Sequence, residues 1–400
     1  MNDTSFAAVL PYRGWWDEGI CDLRYPGVMC GYELHGLSPE TSSPIDRWNA
    51  ARQLGNACIH LRTGDMVQVI FQHDPIYEPP QREFPTAAGR LLDMELRERY
   101  RAGEYWETPA SLYLTHRFET PLKRWTQQFL FATDGSQPQK YELLCDEALR
   151  RFSNFLDAAV TGVKLRHYNS TETYNDLLRC VMYRRDPALL PARNIRLNEI
   201  IGYNYFFGGL APMLEGWHLR PITILMYPVE GTRPQILAEL LRQAGPLTIS
   251  TRFICLSTID AQQTLENEKP HWDQIIGGGL WGLISRWWHK REPEEMDARA
   301  QKEEIEEVKQ VNASGVPIGY GSMTVIVRDT DPDRADLRAR EMMQSVVQAG
   351  LLARIEDYRA VEAVYSSWPG DYDHNVCRPL ITAYNFADMV LPAEYWRGAC

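Results

Sequence analysis

The chain has 400 residues, of which 44% are hydrophobic and 24% are charged, and its formal net charge is −11 at pH 7. This length and composition predict a folded protein of about two or three domains. Such an acidic chain has no overall attraction to nucleic acid or to anionic lipid, so direct nucleic-acid binding is not expected to be its task.

No stretch reaches the roughly 18 consecutive apolar residues of a membrane-spanning helix, and residues 1–5 lack the features of a signal peptide. The eight cysteines form no C-x-x-C pair, so the spacing of metal-binding thiols is missing and reduced, mostly buried thiols are expected. We therefore expect a cytoplasmic protein, and docking on a membrane complex stays open.

Residues 1–135 are predicted to form a first α+β domain. Alternation of apolar and polar residues indicates strands, and apolar residues at wider spacing indicate helices. The pattern gives strand, helix, strand, helix and strand in that order, at 28–37, from 43, at 65–72, at 83–100 and at 111–118. The first of these helices is expected to carry Ile45, Trp48, Leu54 and Ile59 on one face.

Residues 136–218 are predicted to form a mainly helical connecting region. Apolar residues at helical spacing predict helices at 137–163 and 171–183, whereas 193–214 is less regular. Residues 202–209 read Gly-Tyr-Asn-Tyr-Phe-Phe-Gly-Gly, an aromatic-rich loop. This loop is either a tight turn that closes the first core or a contact between subunits.

Residues 219–400 are predicted to form a second α+β domain. Its strands are expected at 221–227, 247–256, 319–328 and 351–356, and its helices at 234–243, 331–349 and 358–366. A helical insertion at 274–314 interrupts this order, and its second half has the dense charge typical of a solvent-exposed helix or arm.

The predicted fold class is therefore α+β. It consists of two α/β sandwich-like units with ferredoxin-like tendencies, joined by the helical region and carrying the charged insertion. Because the two units follow a similar plan, an internal duplication stays open.

The sequence offers no recognisable catalytic constellation. A phosphate-binding loop requires G-x-x-x-x-G-K-[ST], and neither glycine-rich stretch, at 277–282 or 315–321, continues into Lys followed by Ser or Thr. No paired histidine spacing suggests zinc, and no pair of carboxylates has the context of a general acid and base. We therefore expect no catalytic residue, cofactor or metal in this chain. On these grounds the chain is expected to be a binding or scaffold module.

Residues 275–291 combine an apolar run, three tryptophans and a basic end. The candidate docking residues in this stretch are Trp281, Arg286, Trp287, Trp288, Lys290 and Arg291. Aromatic and basic residues in this arrangement are typical of membrane-interface segments. Three interpretations stay open: docking against a membrane-embedded partner, packing of a helix end under the second sheet, and direct contact with lipid.

Four collinear segments carry a family resemblance. They are a helix leading to Leu-Tyr-Leu-Thr at 83–115, Gly-Gly-Leu-Ala-Pro-Met-Leu at 208–214, Ser-Thr-Arg-Phe-Ile-Cys-Leu at 250–256, and residues 366–388, called the signature segment below. The signature segment opens with Ser-Ser-Trp-Pro-Gly, and its signature positions are Pro369, Gly370, Asn375, Arg378 and Asn385. Together the four segments resemble the N-terminal region of the VirB/TrbE/CagE family, the large ATPase of type IV secretion systems.

The resemblance implies a peripheral protein on the cytoplasmic face of the bacterial inner membrane, belonging to a hexameric ATPase that powers conjugation or effector export. It implies partners among the inner-membrane subunits of the secretion complex and the other secretion ATPases, and docking of the motor to that complex. In the family, ATP and magnesium belong to a RecA-like motor in the C-terminal half. No position up to Cys400 matches the motor motifs, so we expect no ATP hydrolysis by this chain alone. A standalone adaptor or scaffold, and an enzyme of unrelated class with an unrecognised site, stay open as alternatives.

The start of the signature segment is predicted to be a turn followed by a closing strand. Pro369 fixes its φ and Gly370 permits a positive one, which suits a tight reversal of the chain. Arg378 precedes Pro379, which favours extended backbone at that position. This stretch is thus predicted to be a hinge between an anchoring half and a motor half.

Overall fold

The computed structural model describes residues 5–77, 79, 84–118, 137–193, 195–227, 232–242, 245–256 and 317–393. The insertion predicted at 274–314 lies outside these residues. Within the described stretches of the chain, no helix is long and apolar enough to cross a membrane.

Helices and strands alternate along most of the described chain. The strands are β1 Tyr12–Asp17, β2 Ile20–Leu23, β3 Gly27–His35, β4 Asp65–Ile76, β5 Tyr105–Glu107, β6 Ala110–Arg117, β7 Lys164–His167, β8 Phe206–Phe207, β9 Met213–Leu214, β10 Trp217–Met226, β11 Leu247–Cys255, β12 Ile318–Asp329, β13 Leu352–Ile355 and β14 Leu380–Thr382. The α-helices are α1 Phe6–Val9, α2 Pro44–Ala57, α3 Ala87–Arg101, α4 Gln137–Ala159, α5 Ser170–Met182, α6 Leu197–Ile201, α7 Pro332–Gln348, α8 Ala360–Ser366 and α9 Ala383–Val390.

These strands form one large sheet in which the paired strands are antiparallel. Its main path runs β1-β2-β3-β6-β4-β11-β12-β10-β9-β8. The four remaining strands lie beside this path, with β7 next to β3, β5 next to β4, β14 next to β12 and β13 next to β10. The chain is therefore a mixed α/β protein built on a large antiparallel sheet.

The strands β4 and β11 join the two halves of the sheet. They pair from His73 opposite Leu247 to Met66 opposite Ile254. Each strand would be an open edge in a separate unit, and the pairing removes both edges. The two units predicted from the sequence therefore share one continuous sheet, and we call the place where they meet the β4–β11 joint.

The two faces of the sheet at this joint differ in chemistry. Val67, Val69 and Phe71 of β4 belong to a large apolar core on the first face, together with Ile249 and Phe253 of β11. Successive side chains of a strand point to opposite faces, so the intervening residues lie on the second face. There the joint is polar and buried, with Gln68, Gln72, Thr248, Ser250 and Arg252.

Helices cover both faces. The core on the first face includes residues of α2, α4, α7 and α9. A second core on the other face includes residues of α1, α5, α6 and α8. The joint consequently lies between two layers of helices, where water has little access.

Most strands and helices predicted from the sequence are confirmed, with ends shifted by a few residues. The helix predicted at 234–243 is wrong. Two 3-10 turns, Ile236–Ala238 and Leu240–Arg242, occupy that stretch. Gln235 has a left-handed backbone with φ 63°, which prevents a regular α-helix from starting there.

The apolar face predicted for the helix α2 is not the face that packs against the core. Ile45, Trp48 and Ile59 are exposed, and only Leu54 is buried. The buried face of this helix consists mainly of small residues, chiefly alanines, which allow a close approach. The cysteines are as expected: those that the structure describes are free, and all but Cys377 are buried.

Candidate functional site

The signature segment begins on the second face of the sheet, directly over the β4–β11 joint. The end of α8 delivers it there. Ser366 and Ser367 donate their hydroxyl hydrogen bonds back to the carbonyls of Ala363 and Val364, at 2.7 and 2.6 Å. These bonds terminate the helix and fix the direction in which Trp368 leaves it.

The Trp-Pro-Gly turn fits its position closely. Gly370 has φ +72°, a conformation that side chains rarely adopt, and a Cβ at this position would lie 2.7 Å from the sulfur of Met29. The amide of Asp371 closes the turn by donating to the carbonyl of Trp368 at 3.3 Å. The tight reversal predicted at Pro369 and Gly370 is confirmed.

Trp368 anchors the turn in the second core. It is fully buried, and its ring contacts those of Phe6, Tyr365 and Phe206 at centroid distances of 5.5, 4.6 and 6.4 Å. Phe206 comes from the aromatic-rich loop, which forms the β8–β9 hairpin. One aromatic of that loop therefore closes a core, and a subunit contact through the loop, in which Tyr205 is exposed, stays a prediction.

Gln68 of β4 holds the turn from below. Its Nε2 donates to the carbonyl of Trp368 at 3.0 Å and to that of Ser367 at 3.3 Å. Its Oε1 accepts from the amide of Gly370 at 3.1 Å. The same Nε2 also donates to Ser250 Oγ of β11 at 3.0 Å, so one side chain connects both halves of the sheet to the turn.

Arg252 of β11 holds the next residues. Its guanidinium donates to the carbonyls of Asp371 and His374 at 2.8 and 2.9 Å, and to Ser322 Oγ at 3.2 Å. Only 1% of the side chain is exposed, and burial lowers its pKa to about 10. Burying a guanidinium costs free energy unless the group is hydrogen-bonded and paired with an opposite charge. The signature segment provides the two carbonyl acceptors and also the Asp371 carboxylate, which lies 3.9 Å away.

The Asp371 carboxylate also organises the residues that follow it. It accepts from the backbone N–H of His374 at 2.9 Å and lies 2.7 Å from that residue's Nδ1. The hydrogen bond to Asp371 raises the pKa of His374 above its ordinary value. Protonation of His374 therefore strengthens the contact.

Tyrosines of the N-terminal half hold the turn from the side. Tyr12 donates to the carbonyl of Pro369 at 2.9 Å, and Tyr25 donates to that of Gly370. Arg117 at the end of β6 pairs with Asp373 and lies 5.3 Å from the ring centroid of Tyr25. Residues from the first 117 positions of the chain thus hold the turn and the residues that follow it.

The segment then passes from the second face of the sheet to the first. β14 pairs with β12 from Ile318 opposite Thr382 to Tyr320 opposite Leu380. The closing strand predicted from the sequence is confirmed, and a helix that was not predicted, α9, follows it. Phe386 of α9 stacks on Phe253 of the joint with centroids 5.4 Å apart, now on the first face.

Gln235 fixes the end of the described chain. Its Nε2 donates to the carbonyls of Leu37 and Pro392, each at 2.9 Å, and its backbone N–H donates to that of Asp388 at 3.0 Å. Thr232 donates to the Asp388 carboxylate at 2.9 Å, and burial raises the pKa of Asp388 to about 6. These bonds hold Pro392 beside Leu37, just after the end of β3.

Proteins of one family match this chain over nearly its whole length. Residues 23–123 match the family model described as the N-terminal domain of the type IV secretion system ATPase VirB4/TrbE. The chain is 27% identical over 421 aligned residues to the conjugal transfer protein TrbE of Rhizobium radiobacter, covering 99% of this chain and 50% of that protein. In Sinorhizobium fredii a probable conjugal transfer protein TrbE occurs as two separate pieces. The chain is 31% identical to the first piece over 128 residues, which cover 86% of that piece.

The chain belongs to the VirB4/TrbE family. The second piece of the Sinorhizobium fredii TrbE is 29% identical over 232 residues, which cover 56% of this chain and 34% of that piece. The chain spans half the length of the Rhizobium radiobacter TrbE.

The structure brings together the signature positions only partially. Pro369 and Gly370 lie in the turn, whereas Asn375 donates to the carbonyl of Tyr372 at 2.9 Å and Asn385 lies in the first turn of α9, capped by Thr382. Arg378 is exposed, in the irregular stretch before β14. The predicted docking residues Trp281, Arg286, Trp287, Trp288, Lys290 and Arg291 lie outside the described residues.

Several residues of the site are not predicted from the sequence, above all Gln68, Arg252 and Gln235. One signal was available in the strands: where polar residues alternate with apolar ones in a buried strand, the polar side chains indicate hydrogen-bonding partners on the second face of the sheet. Nothing in the sequence identifies what they contact. Within the described residues no group of His, Cys, Asp and Glu could hold a metal ion. The arrangement of these contacts fixes a chain segment in place.

Proposed function

We propose that this region of a VirB4/TrbE ATPase is a rigid platform that docks the protein on the inner-membrane complex of a conjugation or secretion system. One observation supports this above the others: the signature segment is fastened across the β4–β11 joint, and Gln235 holds the residues that follow it beside Leu37. A segment held from both faces of a sheet transmits force or orientation better than a free linker. This favours a fixed connection over the predicted hinge.

In this proposal the ATPase activity named for the family comes from a motor that uses ATP and magnesium, and the platform itself supplies positioning. The proposed location is peripheral, at the cytoplasmic face of the inner membrane. The proposed partners are the inner-membrane subunits of the complex, the other secretion ATPases and further copies of the same protein. The exported substrate is DNA or protein, and no direct contact of the platform with nucleic acid is proposed.

We also propose that the chain is divided into the three predicted regions, 1–135, 136–218 and 219–400. In this proposal the sheet contains two units with the same ferredoxin-like order of strands. Two strand orders support this. In the first half the order is β7-β3-β6-β4, and in the second it is β13-β10-β12-β11. In chain order both read fourth, first, third, second, which is the order of the ferredoxin-like sheet.

Membrane vesicles test the docking proposal. Inner-membrane vesicles are prepared from cells with and without the conjugal transfer genes, and the purified chain is sedimented with each. The proposal predicts that the chain pellets only with vesicles that carry the transfer complex. If it stays in the supernatant with both, docking is refuted, and ATP turnover by the purified chain would favour the alternative of an enzyme.

The segment at 275–291 adds a second arm to this test. If Trp287 and Trp288 contact a membrane-embedded partner, replacing both with Ala should abolish pelleting. Unchanged pelleting would refute docking through these tryptophans while leaving the platform proposal intact.

A further inference from the structure

The helix α3 stands apart from both cores. It has 15 residues, and none of them is buried. An isolated helix of this length is marginally stable in water, because most helical stability in proteins comes from packing of an apolar face. Within the described residues, α3 lacks such packing.

Three large apolar side chains of α3 are nevertheless exposed, and two of them, Leu91 and Met94, are three residues apart and share one face. Leu91, Leu92 and Met94 are exposed by 67, 68 and 60%. Local contacts hold the helix, such as the stacking of Tyr100 on Tyr105 at 4.2 Å and the ion pair of Arg97 with Asp93. The outer face therefore combines a fixed orientation with an uncovered apolar patch.

Two opposite charges flank Met94 at equal distances along the helix. Arg90 precedes it by four residues and Glu98 follows it by four, so each lies about 6 Å from Met94 along the helix axis. Among the residues that the structure describes, neither side chain has an ion-pair partner. Residues four apart share a helix face, so all three lie on one side of α3.

We propose that α3 pairs antiparallel with α3 of a second copy of this chain, around a two-fold axis at Met94. In that arrangement Arg90 of each copy lies opposite Glu98 of the other, which forms two ion pairs. Leu91 and Met94 of both copies cover each other between these pairs. A two-fold interface uses the same patch on both partners and so requires this kind of self-complementarity.

This inference rests on the self-association included in the proposed function. It adds the surface and the symmetry of the contact. Because no residue of α3 is buried against the part of the chain that the structure describes, substitutions on its outer face should leave the fold and its stability unchanged.

Charge exchange tests the pairing. Sedimentation velocity over a range of concentrations gives the dissociation constant of the purified chain and of three variants, Arg90→Glu, Glu98→Arg and the double variant with both changes. Each single variant places like charges opposite each other at two positions and should weaken association by about tenfold. The double variant restores opposite charges and should recover most of the affinity.

Arg340→Glu on the exposed side of α7 is the matched control, and it should leave association unchanged. Leu91→Glu should abolish association without altering urea unfolding. If the unmodified chain sediments as a monomer at all concentrations, both the self-association and the α3 pairing are refuted. If it associates but the α3 variants behave like the control, or if the double variant fails to recover, the α3 pairing alone is refuted.

Discussion

Gln68→Leu removes the side chain that connects the Trp-Pro-Gly turn to both halves of the sheet. Leucine has a similar volume, so the change removes hydrogen bonds without leaving a large cavity. The Gly370 amide and the Ser367 carbonyl lose the partners that Gln68 provides at 3.1 and 3.3 Å, whereas the Trp368 carbonyl keeps the Asp371 amide at 3.3 Å. Gln68 is fully buried, so water cannot easily replace it.

An unpaired buried polar group costs about 1–3 kcal/mol. With two such groups, and with some compensation from the apolar leucine, we expect the free energy of unfolding to fall by about 2–4 kcal/mol. Urea unfolding followed by tryptophan fluorescence measures this loss directly.

Gln72→Leu is the matched control, because Gln72 lies on the same strand and the same face. Its contacts, to Thr248 Oγ1 at 3.2 Å and to the carbonyl of Arg179 at 3.4 Å, do not involve the signature segment. We expect a loss of about 1 kcal/mol. Equal losses in the two variants would refute the claim that the turn depends on Gln68.

Three further predictions concern the same segment. Gly370→Ala should lower the free energy of unfolding by about 2 kcal/mol or more, because the φ of Gly370 is strained for alanine and the new Cβ meets Met29. The control is Gly209→Ala, where the new Cβ meets no neighbouring atom, and it should cost about 1 kcal/mol in urea unfolding. The pKa of His374 is raised in the fold above 6.5, so protonated His374 stabilises the fold fully below that pH. This stabilisation is lost as the pH rises through the folded pKa, and the free energy of unfolding should fall over this range. His374→Gln should remove that pH dependence. Phe386→Ala, which leaves a cavity against the joint, should cost about 3–5 kcal/mol by the same unfolding assay, and a loss below about 1 kcal/mol would contradict the packing of α9 on the joint.

The sequence predicts the elements better than their assembly. Strands such as β4 and β11 are predicted because their apolar residues alternate, and α7 because of the spacing of its apolar residues. The pairing of β4 with β11 is not predicted, because it joins residues far apart along the chain and no local pattern encodes it. The family resemblance, by contrast, is confirmed by the comparisons.

The errors have physical causes. The predicted face of α2 relies on its large apolar residues, whereas the close approach to α9 and the sheet favours small ones such as Ala50 and Ala51. The helix predicted at 234–243 fails because Gln235 adopts a left-handed backbone to reach Leu37 and Pro392. In both places tertiary contacts override the local preference of the chain.

Hydrogen exchange tests most directly whether the signature segment is fixed to the joint. The amides of Ser367, Trp368, Gly370 and Asp371 all donate hydrogen bonds within the site. We predict that they exchange as slowly as the amides of β4 and β11, through global unfolding only. Fast exchange of these four amides, while β4 and β11 stay protected, would contradict the account.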